Sequence, residues 1–262
     1  MSTSVHAVYF SPTGSSRAMA QEVASVLAQE LAFTHAEDWD WTFPAGRAAA
    51  YPVKAGDVLV FAFPVYAGRV PQLLLEPLGR LAGQGVYVVP LAVYGNRHYD
   101  DALLEAVELF YVRQFSVLAA GAFVAEHSYT SKVGAGRPDA DDMAVLDAFA
   151  RAAARRIAQG PGERVHVPGN RPYKALPPPA DIRPKTSDSC TGCGLCASVC
   201  PMGIIYDDAP RITGKGCVRC CACIKICPEG ARVFDDPLVT RIVGMLETSF
   251  IARREPEMFI AD

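Results

Sequence analysis

Through the first 160 positions, short apolar runs alternate with longer amphipathic stretches. Val5-His6-Ala7-Val8-Tyr9-Phe10 is a β-branched and aromatic run that stops at Ser-Pro-Thr-Gly, and it predicts a first strand. Residues 15–32 then set Met19, Val23, Val26, Leu27 and Leu31 on one helical face. Residues 57–63 are continuously apolar after Asp57, the pattern of a strand buried on both faces of a parallel sheet. The same reading predicts a helix around 71–81, a strand over 86–94 and a helix at about 101–113. A strand over 117–125 and a helix at about 140–159 follow. A second strand falls within 33–36, leaving 37–55 as a polar and aromatic loop. Five strands separated by helices imply an α/β, doubly wound parallel sheet with right-handed crossovers.

In such a sheet, ligands bind beyond the carboxyl ends of the strands, where the strand order reverses. The loop after strand one is Ser11-Pro12-Thr13-Gly14-Ser15-Ser16, and it opens a helix. Its hydroxyls and amides, aided by the helix dipole, suit a phosphate, although an ordinary helix cap has the same composition. The loop after strand three carries Pro64, Val65, Tyr66, Ala67 and Gly68. The loop after strand four carries Tyr94, Gly95, Asn96, Arg97, His98 and Tyr99. Each puts glycine and an aromatic at one edge of the sheet, where a planar ring would lie between tyrosine faces and backbone amides. Residues 127–142, after strand five, reach the same edge. They do not fit a dinucleotide fingerprint and read as a surface loop, or as a lid with His127, Tyr129 and Arg137 as its polar members.

Composition excludes several classes. The chain has 262 residues, half of them hydrophobic and 20% charged, which suits a folded core rather than a disordered tail. A net charge of −3 without long like-charge runs argues against nucleic-acid partners. No apolar stretch reaches the roughly 18 residues of a membrane span, and the first residues lack a leader's pattern. These features predict a cytoplasmic protein, where thiols stay reduced.

All nine cysteines nevertheless crowd between Cys190 and Cys227. They divide the chain into a cysteine-free body (1–160), a linker (161–186), a cysteine module (187–236) and a C-terminal helix with its tail (237–262). The stretch 161–189 holds seven prolines, and its Val165, Val167, Tyr173, Leu176 and Ile182 predict that it runs along a surface. Within the module, Cys190, Cys193, Cys196 and Cys200 recur 27 residues later as Cys217, Cys220, Cys223 and Cys227. Pro201 and Gly203 recur as Pro228 and Gly230. Paired C-x2-C motifs often bind zinc. Three cysteines at two-residue gaps, then a fourth followed by proline, is instead the bacterial [4Fe–4S] run, and its intact repetition favours iron–sulfur. In that pattern the fourth cysteine serves the other cluster. One cluster then takes Cys190, Cys193, Cys196 and Cys227, and the other takes Cys217, Cys220, Cys223 and Cys200. Cys221 is left over and reads as a small packed residue.

Residues 5–160 resemble flavodoxin, whose phosphate loop follows S/T-x-T-G-x-S/T; Ser11, Thr13, Gly14 and Ser16 match it. The resemblance implies FMN, with the isoalloxazine held by the second and third loops. It also implies a peptide at Ala67-Gly68 that flips to accept a bond from reduced N5. No feature for an adenylate half is present, so FMN is expected rather than FAD. Residues 187–235 resemble a two-cluster bacterial ferredoxin, a small α+β domain. The whole chain resembles the flavodoxin–ferredoxin fusions of anaerobic bacteria and archaea. That resemblance implies an electron carrier with one FMN and two [4Fe–4S] clusters, serving low-potential redox partner proteins. The alternative is a flavin-dependent reductase, fed by the ferredoxin module, whose small-molecule substrate binds beneath 127–142. No catalytic acid or nucleophile stands out for it. A metal-binding interaction module on a degenerate body is the third reading.

Overall fold

In the computed structural model, which describes residues 3–262, the apolar runs become strands covered on both faces, and the exposed pair Thr34–His35 adds a short edge strand. These are β1 (Ser4–Tyr9), β2 (Thr34–His35), β4 (Val58–Pro64), β5 (Tyr87–Tyr94) and β6 (Ala119–Val124). The sheet runs β2-β1-β4-β5-β6, every neighbour parallel. Numbered among themselves, those five strands stand in the order 2-1-3-4-5 of the flavodoxin-like doubly wound sheet. Strand periodicity divides the core. Val5, Ala7, Val58, Val60 and Ala62 pack toward α1 (Ser15–Leu31) and α5 (Ala140–Ala158). Val8, Phe10, Leu59, Phe61 and Phe63 pack toward α4 (Ala102–Tyr111) on the other face. Burying each such side chain stabilises the fold by roughly 1.5–3 kcal/mol relative to exposure.

Three local features depart from the sequence expectation. The stretch 37–55 contains β3 (Trp39–Asp40), which extends the β2 edge along β1, and α2 (Pro44–Ala48). The helix expected around 71–81 is a 3-10 turn (Gln72–Leu74) followed by the short α3 (Leu75–Gly79). The third departure is larger. Residues Glu257–Ile260 form β9, which pairs antiparallel with β6 and adds an edge strand to the five parallel ones. The chain leaves the body after α5 and returns to it at its far end.

The linker is bolted down. Val165 is buried, and its amide donates to the Val117 carbonyl at 2.8 Å. Asp101, buried at the start of α4, accepts from the Asn170 amide at 2.8 Å and the Lys174 amide at 2.6 Å. Glu108 takes Arg171 and the Tyr173 hydroxyl. In the cysteine module, β7 (Lys185–Thr186) pairs antiparallel with β8 (Arg232–Val233), beside the one-turn helices α6 (Leu195–Ser198) and α7 (Ala222–Lys225). The last helix, α8 (Pro237–Ser249), is N-capped by Asp236, whose Oδ1 accepts from the Leu238 amide at 2.9 Å.

Candidate functional site

At the carboxyl edge of the sheet, α1 opens with Gly14 as its N-cap, at φ 93 and without a side-chain cap. A Cβ at Gly14 would meet open space, so the left-handed conformation, not crowding, calls for glycine here. The amides of Ser15 and Ser16 find no acceptor among the described residues, while the Ser16 side chain is buried beneath them. Thr13 is exposed at the mouth of the loop. This arrangement fits a phosphate: unpaired helix N-terminal donors face open space, flanked by hydroxyls. The Ser11 hydroxyl is spent otherwise. It accepts from the Arg17 amide at 2.9 Å, while the Ser11 amide donates to Thr42 Oγ1 at 2.9 Å.

The loop after β4 folds into a tight turn in which Tyr66 and Arg69 exchange both backbone bonds, at 3.1 and 3.0 Å. Ala67 (φ 53) and Gly68 (φ 82) occupy its centre, both left-handed, as a type I′ turn requires. A Cβ on Gly68 would lie 2.2 Å from Asp100 Oδ2, so only glycine fits. Pro64 and Val65 lead into the turn, partly buried. Buried Glu105 holds the turn from α4. Its carboxylate takes Arg69 through Nε at 2.8 Å and Nη2 at 2.7 Å, and the Val70 amide at 2.9 Å.

The loop after β5 differs from the ring-stacking role expected of it. Tyr94 and Tyr99 are buried in the core, their rings edge-to-face at 5.6 Å, and the Tyr99 hydroxyl donates to Glu257. Asn96 is buried too. Its Nδ2 donates to the carbonyls of Phe250 (2.7 Å) and Ala252 (2.9 Å), and its Oδ1 accepts from the Arg254 amide (3.1 Å). Gly95 sits directly against His127, and Arg97 pairs with Asp100. Of this loop, His98 is partly exposed and stacks on Tyr99 at 5.0 Å. Tyr94, Asn96 and Tyr99 therefore seat the C-terminal segment, because that segment crosses where the loop would otherwise face solvent.

The cysteines gather into two groups around two small cavities. Cys200, Cys217, Cys220 and Cys223 line the first; Cys190, Cys193, Cys196 and Cys227 line the second. Each group takes three cysteines from one run and one from the other. Four thiols around one cavity fit the donor set of a polynuclear cluster. Burial pushes the Cys220 thiol up to about 12 and raises those of Cys217 and Cys223, so these three favour the protonated form until a cation displaces the protons. Cys221 also lines the first cavity, buried, with its Sγ toward the Arg219 carbonyl at 3.8 Å.

The first cavity faces the sheet edge. Burial raises the Tyr66 phenol well above its ordinary value, and Cys220, Cys221 and Cys217 act in the same direction from across the boundary. Burial likewise lifts Tyr129 to about 12. The Tyr129 ring lies 5.9 Å from Phe234, a wall of the first cavity, and 5.6 Å from His127. Loop 127–142 is thus part of the junction. Glu126 beside it pairs with Lys225 at 2.7 Å, and Lys132 with Glu247 at 2.8 Å. Arg137 binds buried Asp142 through Nε at 2.7 Å and the Arg254 carbonyl at 2.5 Å. From α2, Arg47 donates to the carbonyl of Pro201, the residue after Cys200, at 2.7 Å. Arg47 and the Tyr129–Phe234 contact had no sequence signal, since each gains its role only when distant segments meet.

Residues 184–206, which include the first cysteine run, match the family of the 4Fe-4S binding domain. The chain thus joins a doubly wound sheet of strand order 2-1-3-4-5 to a segment that matches the 4Fe-4S binding domain family. No curated protein matches its sequence. Among solved structures, a flavodoxin from the domain Archaea is 12% identical, covering 60% of this chain and 99% of that one at a TM-score of 0.41. An NADH:FMN oxidoreductase in its apo form is 17% identical, covering 58% and 88% at 0.43. An NAD(P)H:quinone oxidoreductase from Methanothermobacter marburgensis is 14% identical, covering 63% and 100% at 0.34. No helix among the described residues is long and apolar enough to cross a membrane.

Proposed function

We propose that the protein is a cytoplasmic electron carrier that links low-potential redox partner proteins through two [4Fe–4S] clusters and one FMN. The observation that carries this reading is the pair of four-cysteine cavities, one of them walled by Phe234, which packs against Tyr129 of the body. Cys190, Cys193, Cys196 and Cys227 would hold an outer cluster, and Cys217, Cys220, Cys223 and Cys200 an inner one. The amides of Ser15 and Ser16, with the hydroxyls of Thr13 and Ser16, would hold the FMN phosphate. The turn at Tyr66, Ala67 and Gly68 would meet the ring. When bound, the clusters exchange single electrons and the flavin one or two.

The protein supplies position and insulation. Tyr66, Tyr129 and Phe234 exclude water from the junction, and Arg47 and Lys225 hold the module on the body. Holding donor and acceptor in one chain replaces a collision by a fixed approach. The reductase alternative finds less support, because His127, Tyr129 and Arg137 are engaged with neighbouring segments. Anaerobic purification followed by iron, sulfide and flavin analysis tests the proposal. Two clusters require about eight iron and about eight sulfide per chain, with one FMN. Stoichiometric zinc without sulfide would overturn it.

A further inference from the structure

Arg232 breaks the internal symmetry of the cysteine module. The repeat offset of 27 residues pairs it with Ile205, and both side chains are buried, Arg232 to 2% exposure. Ile205 lines the cavity of Cys200, Cys217, Cys220 and Cys223, whereas Arg232 lines that of Cys190, Cys193, Cys196 and Cys227. An apolar residue in one half thus has a cation as its counterpart in the other.

That cation has no carboxylate within ion-pair distance among the described residues. Its Nη1 donates to the Pro210 carbonyl at 2.8 Å, to Thr186 Oγ1 at 3.2 Å and to Cys196 Sγ at 3.7 Å. Its Nη2 donates to Thr213 Oγ1, and its buried Nε finds no acceptor. A guanidinium cannot shed its proton, and a buried charge persists only where something compensates it. The partners named are neutral, apart from a cysteine sulfur that iron would hold as a thiolate. Glu229, the repeat counterpart of Met202, also lines this cavity but makes no ion pair with Arg232, so the counter-charge missing at contact distance belongs to the cavity.

We propose that Arg232 is the buried counter-charge of the cluster held by Cys190, Cys193, Cys196 and Cys227, and holds it at a higher reduction potential than its mate. Adding an electron makes a cluster more negative by one charge, and an adjacent cation with a hydrogen bond to the ligating sulfur favours that state. Beside the other cluster, Ile205 offers neither. The electron on this chain then rests preferentially on the outer cluster, away from the Tyr66 edge.

The inference rests on the function proposed above, and one experiment separates their failures. The full chain, wild type and Arg232→Gln, is reconstituted anaerobically, assayed for iron and sulfide, and titrated with dithionite under electron paramagnetic resonance. Cys193→Ser marks which signal belongs to the outer cluster. Wild type without iron and sulfide would overturn the electron-carrier reading. With both clusters present, Arg232→Gln should lower the outer midpoint by at least tenfold in its reduction equilibrium, about 59 mV for one electron, and leave the inner midpoint in place. An unchanged outer midpoint would overturn the role of Arg232. Arg232→Lys keeps the charge and decides the matter if the glutamine variant fails to fold. Lysine should keep the outer cluster above the inner one, and equal midpoints in that variant would refute the counter-charge.

Discussion

The Tyr99 hydroxyl donates to Glu257 Oε2 at 2.7 Å, joining the loop after β5 to β9 across 158 residues of chain. Between these two positions lie the linker, the cysteine module and α8, so the module is held at both ends. Asn96 reinforces the closure with three bonds to residues 250–254, and Arg253 reaches Asp139, the N-cap of α5, and Asp142 within it.

Tyr99→Phe removes a buried donor to a charged acceptor and should cost roughly 1–3 kcal/mol. Truncation after Ser249 should do more, since it removes β9, exposes the β6 edge and frees the Asn96 amide. Urea unfolding followed by far-ultraviolet circular dichroism would rank the two. Equal stability of the truncated and full chains would show that the clasp contributes nothing.

Thr13→Val combined with Ser16→Ala should weaken FMN binding roughly 10²-fold, taking about 1.5 kcal/mol for each hydroxyl bonded to a phosphate. Flavin fluorescence titration of the flavin-free protein reads this directly. The visible absorbance of the clusters should not change, because neither residue approaches the module. Undiminished affinity would place the phosphate elsewhere.

What the sequence made legible follows from how locally each feature is encoded. The core strands β1, β4, β5 and β6 are continuous apolar runs buried on both faces, so their positions appear without tertiary context. The cysteine sets are nearly as local, since spacing within 38 residues brings them together. β9 was illegible: Met258 and Ile260 are exposed, Glu257 bonds Tyr99, and its partner strand lies more than 130 residues earlier. The same distant segment explains why Tyr94, Asn96 and Tyr99 are buried, in a glycine-aromatic loop whose open face is covered by residues 250–257. Arg232 was readable in principle, because aligning the two halves of the repeat sets it against Ile205.

His127 gives the junction a pH dependence. Burial, then Lys225 and Arg97, hold its pKa at about 4, below the 6.5 of an unperturbed imidazole. The native state therefore keeps His127 neutral while the unfolded chain takes up a proton. Its contribution is fully present above pH 6.5 and is lost as pH falls toward 4. His127→Gln should shrink the difference in unfolding free energy between pH 7 and pH 5. If wild type and variant lose the same stability over that interval, another group is responsible.

Electron transfer between the inner cluster and the flavin should be intramolecular, and the geometry ranks what sustains it. The Lys225–Glu126 pair is partly exposed, and pairs of that kind contribute about 0–1 kcal/mol. Glu126→Lys alone should therefore slow transfer only slightly, with the effect growing at low salt, where like-charge repulsion is screened least. The C-terminal clasp should matter far more, because without it the module is held only by the linker and by the few contacts of Arg47, Lys132, Lys225 and Tyr129. The linker's bonds to Asp101 and Glu108 end near Lys174, leaving about ten residues of proline-rich chain before Pro184. At about 3.1 Å per extended residue, that tether permits excursions of roughly 30 Å, far beyond contact. Flash reduction of the clusters, monitored at the flavin absorbance, measures the outcome. In the full chain the flavin should reduce at a rate independent of protein concentration. In the chain ending at Ser249 the rate should fall and spread over several phases. A full-length rate proportional to protein concentration would mean that electrons pass between molecules, and that the junction of Tyr129 with Phe234 is not the route.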